Sequence, residues 1–111
     1  MSEPRVKAGL WVKMALRIGQ ADGRFAAVLK RGDEDAGGVL VVLRAPSGLC
    51  VLSQTRDGDG RAAWVRATGD DPVEQATADA YVARQVKNDP DLWVLEFERP
   101  DLMPPFDGKV L

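Results

Sequence analysis

The stretch Val39-Leu40-Val41-Val42-Leu43-Arg44 decides the fold, because five consecutive apolar side chains precede its single arginine. Successive side chains of a strand point to opposite faces of the sheet, so this segment is apolar on both faces. Such a strand lies at the centre of a sheet that is covered on both sides. A tight turn at residues 45–48 leads into a second apolar strand at residues 49–55. The sequence therefore predicts two adjacent core strands here.

Two further strand candidates lie on either side of this pair, at residues 25–30 and 62–67. A polar, glycine-rich connection at residues 31–38 separates the first of them from the core strands. The sequence Asp57-Gly58-Asp59-Gly60 has the composition of a hairpin turn and comes before the other candidate. Strands punctuated in this way predict an antiparallel meander.

Residues 6–20 repeat apolar side chains at intervals of four, which predicts a first helix whose apolar side is mostly covered. Four residues carry this repeat: Val6, Leu10, Met14 and Ile18. A second helix begins near Asp71, which can cap it, with Pro72 at the first helical position. Residues 88–90 end that helix, and a last strand follows at residues 92–98.

These elements predict an α+β fold with a mainly antiparallel sheet of about five strands and two helices, in the order α-β-β-β-β-α-β. The sequence also predicts a single domain over residues 1–98 and, over residues 99–111, an irregular, proline-containing tail that lies loose on the surface. Two helices on one face of the sheet leave the other apolar face for a partner, most often a second copy. The alternative is that the first helix covers that second face.

The composition excludes several classes of active site. The 111 residues include 15 Lys and Arg, 17 Asp and Glu, one Cys and no His. Without histidine there is no Ser-His-Asp or Cys-His centre and no HExxH zinc site, and one cysteine cannot form an internal disulfide or a multi-thiolate metal site. We therefore assign no catalytic residue, no metal ligand and no cofactor.

The charge and hydropathy patterns bear on partners and compartment. A net charge of −2 gives no general attraction to nucleic acid or to an anionic membrane. Apolar runs are too short for a signal peptide or a membrane-spanning helix. The sequence therefore predicts a cytoplasmic protein that binds neither nucleic acid nor membranes, with Cys50 as an ordinary reduced thiol.

Three motifs together resemble one family. They are Lys7-Ala8-Gly9-Leu10-Trp11-Val12, Arg31-Gly32-Asp33 followed by Ala36-Gly37, and Ala80-Tyr81-Val82-Ala83-Arg84-Gln85 running into Asp89-Pro90-Asp91-Leu92-Trp93-Val94-Leu95-Glu96. They are similar to the alphaproteobacterial domain-of-unknown-function family number 1491, over about residues 5–98. The resemblance implies a bacterial, cytoplasmic, one-domain protein and brings no activity with it.

The connection between residues 30 and 38 is the candidate ligand site. Its lysine and arginine supply positive charge, and its glycines can expose backbone N–H groups to a phosphate or carboxylate. Acidic residues 33–35 would repel the same anion and no phosphate-loop motif is present, so a purely structural connection is the alternative. The candidate ligand-binding residues are Lys30, Arg31, Gly32, Asp33, Gly37 and Arg84.

Two motifs imitate metal sites. Pro90-Asp91 with Glu96 resembles the carboxylate set of a Mg²⁺-dependent nuclease, but Glu98 stands where that motif needs lysine. A Mg²⁺-dependent hydrolase using Asp89, Asp91 and Glu96 is the remote alternative. The turn at residues 57–60 imitates a calcium loop without its final bidentate acid, which favours a hairpin turn.

Missing catalytic machinery and two-faced apolar strands together predict a protein of unknown function that acts without catalysis. We predict a protein-interaction or homo-oligomerising domain, either a homodimer or a subunit docked to another protein. The large apolar side chains of Trp11 and Trp93 are the predicted packing or interface residues. The second hypothesis is a small-ligand or anion-binding domain that uses residues 30–38.

Overall fold

A six-stranded mixed sheet lies between two helices in the computed structural model, which describes residues 6–111. The strand order across the sheet is β1-β5-β2-β3-β4-β6. The predicted domain started at residue 1, and residues 1–5 lie outside the described part. The elements are α1 (Ala8–Gln20), β1 (Ala26–Lys30), β2 (Val39–Ala45), β3 (Gly48–Arg56), β4 (Ala62–Arg66), α2 (Gln75–Asn88), β5 (Trp93–Glu98) and β6 (Lys109–Val110).

The α+β class and the two helices are confirmed, but the sheet is mixed rather than mainly antiparallel. Strands β2, β3 and β4 form the predicted antiparallel meander. Strand β1 does not join it, because β5 inserts between β1 and β2, antiparallel to β1 and parallel to β2. The cause is the crossover through α2, since a helix that spans the sheet between β4 and β5 lets these two strands run in the same direction.

Strand β2 is central and buried on both faces, as its sequence predicts. Val41 and Leu43 pack towards α1 and the C-terminal segment, whereas Leu40 and Val42 pack towards α2. The expectation that both helices share one face of the sheet is therefore wrong, and the alternative, in which the first helix covers the second face, is confirmed. Each face has one helix, so an uncovered sheet face no longer argues for a partner.

Helix α1 contacts the sheet through its small side chains rather than through the four-residue apolar repeat. The buried positions of α1 are Ala8, Gly9, Val12, Ala15 and Gly19. A Cβ at Gly19 would overlap the ring of Phe97, so the missing side chain permits the close approach of helix and strand. The line of larger apolar residues, predicted to be covered, consequently faces solvent.

Helix α2 begins later than predicted, at Gln75, and Asp71 does not cap it. The preceding Val73 instead pairs with Leu49 of β3 and exchanges two backbone hydrogen bonds with it, of 2.9 and 2.8 Å. A backbone that is engaged in this extended bridge cannot enter a helix, so the bridge delays the helix start.

Residues 99–111 do not lie loose on the surface. Leu102 and Phe106 are buried in the same core cluster as α1. The backbone N–H of Leu111 donates to the carbonyl of Trp64 at 2.8 Å, and Arg66 donates to the carbonyl of Leu102 at 3.1 Å. The segment is irregular over most of its length, but it closes one end of the core and adds the short strand β6.

Candidate functional site

Residues 30–38, which connect β1 and β2, hold the end of β1 to the start of β5 through their own backbone and side chains. We call these residues the clamp. The ammonium group of Lys30 donates to the carbonyls of Arg31, Pro90 and Leu92 at 3.0, 2.6 and 3.0 Å. An ammonium group has three donors, so these bonds use all of them. Lys30 thus fastens the end of β1 to the start of β5.

Asp33 holds the middle of the clamp. Its carboxylate accepts the backbone N–H groups of Asp35 and Ala36, which forms a local turn. Its backbone N–H donates to the Asp91 carbonyl at 2.9 Å, and its carbonyl accepts the indole N–H of Trp93 at 2.8 Å. The carboxylate, the carbonyl and the backbone N–H of Asp33 therefore all form hydrogen bonds within the protein.

The charged pair Arg31 and Glu34 closes the outer side of the clamp. Their side chains form an ion pair at 2.6 Å, and the guanidinium lies 5.7 Å from the centre of the Trp93 ring. The Glu34 carbonyl accepts the backbone N–H of Gly9 at 2.9 Å in the first turn of α1. The clamp thereby satisfies a free donor at the start of this helix.

The two glycines of the clamp are sites of close packing. A Cβ at Gly32 would overlap the carbonyl oxygen of Asp91, and one at Gly37 would lie 2.8 Å from the carbonyl oxygen of Asp33. Arg84 lies apart on the exposed side of α2, and no hydrogen bond or ion pair joins it to the clamp within residues 6–111. Five of the six candidate ligand residues therefore come together, and each of them has a structural role.

The two predicted interface tryptophans occupy different positions. Trp93 is 3% exposed and belongs to the core of a single chain. Trp11 is half-buried, with its ring 5.8 Å from Trp64 and 5.0 Å from Phe106. Both residues pack within the fold, and only Trp11 retains an exposed edge. Cys50 is a free, buried cysteine.

The imitated metal motifs do not assemble. Glu96 forms an ion pair with Arg44 at 2.8 Å, while Asp91 lies in the turn before β5. Across residues 6–111, no three acidic, cysteine or histidine side chains are grouped as metal ligands would be. The structure gives no support to the hydrolase alternative.

The turn at residues 57–60 connects β3 and β4 as the predicted hairpin, and Asp57 organises it. The backbone N–H groups of Arg61 and Asp59 donate to its carboxylate at 3.0 and 2.9 Å. These bonds favour the charged form and hold the pKa of Asp57 below its ordinary value of 3.8.

A lowered pKa gives Asp57 a pH-dependent share in stability. That share is present above the ordinary value of 3.8 and is lost as the pH falls through the lower folded value. We expect Asp57→Ala to be less stable than wild type at neutral pH, with the gap closing in acid. Urea unfolding of both proteins from neutral to acidic pH measures the difference in their free energies of unfolding. The matched control is Asp59→Ala. A gap that does not change with pH would contradict the assignment.

The outer face of α1 carries the apolar repeat that the sequence pattern predicted to be covered. Leu10, Met14 and Ile18 are 56%, 46% and 46% exposed, and the same repeat continues to exposed Val6. We call Leu10, Met14 and Ile18 the α1 stripe. The small residues on the opposite side of the helix were the signal that could have identified its packing face.

A groove of about 300 Å³ runs between α2 and the edge of the sheet formed by β1 and β5. Val42 and Val94 line it from the sheet, Val82 and Val86 from α2, and Leu29 from β1. Asp79 and Glu96 are its acidic residues. A second cleft, of about 390 Å³, lies between α1 and β1 beside the clamp.

Between residues 6 and 111, no helix is long and apolar enough to cross a membrane. No curated protein matches the chain.

Solved structures with the same fold come from two bacteria. A crystal structure of a DUF1491 family protein from Caulobacter crescentus CB15 has a TM-score of 0.85 and 30% identity, over 96% of this chain and 100% of that one. An NMR structure of a DUF1491 family protein from the same organism has a TM-score of 0.84 and 29% identity, over 98% and 99%. Protein Atu0922 from A. tumefaciens has a TM-score of 0.77 and 25% identity, over 97% and 98%.

The resemblance carried by the three sequence motifs is thereby confirmed. The model of DUF1491, described as a protein of unknown function, matches residues 6–107, which is nearly the whole chain. The chain belongs to the DUF1491 family.

Proposed function

We propose that this protein is a non-catalytic protein-binding domain and that the α1 stripe is its docking surface. The observation that carries the proposal is the exposure of Leu10, Met14 and Ile18 along one line of a helix. Apolar surface in water costs about 25 cal/mol per Å², and a contiguous exposed row of this kind is typical of interaction sites. Side chains at intervals of four are also the anchors by which helices dock to partners.

The charges around the stripe select the kind of partner. Lys13 and Arg17 lie on the exposed side of α1, and the helix contains no acidic residue. Packing α1 against α1 of a second copy would bring these like charges together, which disfavours that arrangement. We therefore expect another protein, with an apolar patch bordered by carboxylates.

The contacts of the clamp favour this function over anion binding at residues 30–38. In the clamp, the ammonium group of Lys30, the guanidinium of Arg31 and the carbonyl of Asp33 all form contacts with other groups of the protein. A cytoplasmic location belongs to the same proposal, and the single unpaired cysteine supports it.

Met14→Lys tests the docking surface because it places a charge in the middle of the stripe without touching the core. We expect the variant to fold normally and to recover at least about tenfold less of its partner from the native host, as for an interface anchor. Val65→Lys is the matched control, since Val65 is also exposed but lies on β4. Quantitative mass spectrometry of the co-purified chains measures the difference.

The partner's chemistry makes the test specific. A recovered chain supports the proposal only if it depends on Met14, is retained by Val65→Lys and carries an acidic, apolar segment. Equal recovery by both variants would overturn the proposal. Binding of the protein to anionic vesicles that depends on Met14, with no partner chain recovered, would also contradict the proposal. It would indicate that the α1 stripe binds a membrane surface.

A further inference from the structure

We infer that the groove beside α2 binds a small organic cation, a primary ammonium group on an unbranched apolar chain of roughly eight carbon atoms. The groove lies on the face of the sheet opposite to α1, so the inference does not depend on the α1 stripe. Its volume of about 300 Å³ is at the lower end of the range of small-molecule sites.

The groove is open because α2 covers only part of its side of the sheet. Among the strands, α2 packs mainly on β3, which lies two places from β5 in the sheet. Strand β1 contains a bulge, since Leu29 is an extra residue in the pairing with β5, between Val28 and Lys30. A bulge redirects the side chains around it, and Leu29 forms the outer wall of the groove. No part of residues 6–111 fills the apolar space that remains over β5.

The wall formed by α2 changes from polar to apolar along its length. Its lining residues repeat at intervals of three and four, so they lie on one side of the helix. Gln75 and Asp79 come first, and Val82, Ala83 and Val86 follow. One end of this wall therefore offers polar groups and the other end offers only apolar contact.

The floor of the groove repeats this change. Helix α2 ends at Asn88 and β5 begins at Trp93, so the chain reverses direction between them. The last turns of α2 therefore lie towards Val94, and its first turns lie towards Glu96. A ligand that is charged at one end and apolar along its body matches this order.

Two carboxylates at the polar end each have an oxygen that is available to a ligand. Oε1 of Glu96 accepts from Arg44 at 2.8 Å, and Oδ1 of Asp79 accepts from Gln75 at 2.8 Å. Within residues 6–111, the second oxygen of each carboxylate accepts no hydrogen bond. The Glu96 side chain is 13% exposed, and a carboxylate shielded from water attracts a cation more strongly than an exposed one. An ammonium group has three donors, so it can bind both carboxylates.

The positive charges near the groove do not favour an anion. Lys30 lines the apolar end, but its three donors are already used by backbone carbonyls. Arg44 donates to Glu96, and an anion at the polar end would be repelled by both carboxylates. The ammonium group therefore belongs at the polar end, with the chain along Val82 and Val94.

The length of the α2 wall limits the length of the chain. The helix rises about 10 Å between Asp79 and Val86, which matches an extended chain of roughly eight carbon atoms. Each buried methylene group should strengthen binding about three- to fourfold. We expect affinity to rise by this factor per carbon from butylammonium to octylammonium and to level off for longer chains.

Titration of the full chain with octylammonium chloride, followed by methyl NMR spectroscopy, tests the inference. We expect a dissociation constant of about 1 mM or below. Shifts should appear at the methyl groups of Val82 and Val94, while those of Val41, which packs on the opposite face, should stay unchanged. Octanoate should bind at least about tenfold more weakly than octylammonium, because both carboxylates repel it.

Two matched pairs of variants locate the ligand. Ala83→Phe fills the groove and should weaken binding at least about tenfold, as expected for a lost pocket. Ala80→Phe is its control, since Ala80 is exposed and does not line the groove. Asp79→Asn should weaken octylammonium binding about fivefold and leave 1-octanol binding unchanged. Asp71→Asn is the control for losing one exposed negative charge.

Several outcomes would overturn the inference. An absence of shifts in the millimolar range is one, and equal affinity for octanoate is another. Affinity that keeps rising beyond the length of the groove, or binding unaffected by Ala83→Phe, would show adsorption elsewhere on the surface. Loss of a co-purified chain in Ala83→Phe, with no octylammonium binding, would assign the groove to a protein segment instead.

Met14→Lys separates this site from the proposed docking surface. The variant should bind octylammonium as wild type does, because Met14 lies on α1 and does not line the groove. Retained amine binding with no recovered partner chain would contradict only the docking surface. A recovered, Met14-dependent partner with no amine binding would contradict only the ligand site.

Discussion

Phe106→Ala should lower the free energy of unfolding by about 3–5 kcal/mol, the usual loss when a buried aromatic ring is removed. Phe106 is 7% exposed, and its ring lies 5.0, 5.3 and 5.9 Å from those of Trp11, Trp64 and Phe97. Removing it leaves a cavity where α1, β4 and the C-terminal segment meet. Such a loss is a large part of the total stability of a small domain.

Urea unfolding monitored by tryptophan fluorescence measures this loss. Leu111→Ala is the matched control because Leu111 lies in the same segment but is 52% exposed, and we expect a change within about 0.5 kcal/mol. If the two variants lost equally little stability, residues 99–111 would be a loose tail after all.

Gly32→Ala should destabilise the protein by about 2–3 kcal/mol, at the upper end of the range for overpacking. Its new Cβ would overlap the Asp91 carbonyl oxygen and lie 2.6 Å from the carbonyl carbon of Leu92. Both atoms belong to the backbone, so neither can move aside without shifting the start of β5. The nearby hydrogen bond from Asp33 to Asp91 would be strained by that shift.

Gly58→Ala controls for the general effect of adding a methyl group. A Cβ at Gly58 meets nothing within 4 Å, so this change should be close to neutral. Thermal unfolding of both variants separates the two cases. A Gly32→Ala protein as stable as wild type would show that the clamp is loose and would reopen residues 30–38 as a ligand site.

Local sequence signals predicted the elements of this fold well. The doubly apolar β2, the hairpin turn at Asp57 and the end of α2 near Asn88 are all signalled by residues close together in the chain. Alternation and turn chemistry act over a few residues, so a reading of the chain can detect them.

The sheet order could not be predicted from the same signals. Whether β2 pairs with β1 or β5 depends on the crossover through α2, and both candidate neighbours are apolar strands. The burial of Phe106 likewise follows from distant aromatic rings rather than from its proline-containing surroundings. Long-range contacts of this kind leave no local periodicity.

The candidate site shows the same division. The charged and glycine residues of the stretch 30–38 indicated a candidate ligand site. The sequence could not show that Lys30 would donate its hydrogen bonds to the carbonyls of Pro90 and Leu92. It also placed Leu10 and Met14 on a covered face, because larger apolar residues outweighed the smaller ones in the pattern. Close packing of Gly19 against Phe97 reverses that assignment.

Native mass spectrometry of protein purified gently from its own host is the sharpest test of the α1 stripe as a docking surface, since it measures stoichiometry and bound molecules together. We expect the wild-type chain to carry a polypeptide of a different sequence, which Met14→Lys loses. A wild-type chain that carries no other polypeptide and holds a reproducible small-molecule adduct would contradict it, and the mass of that adduct would indicate the ligand.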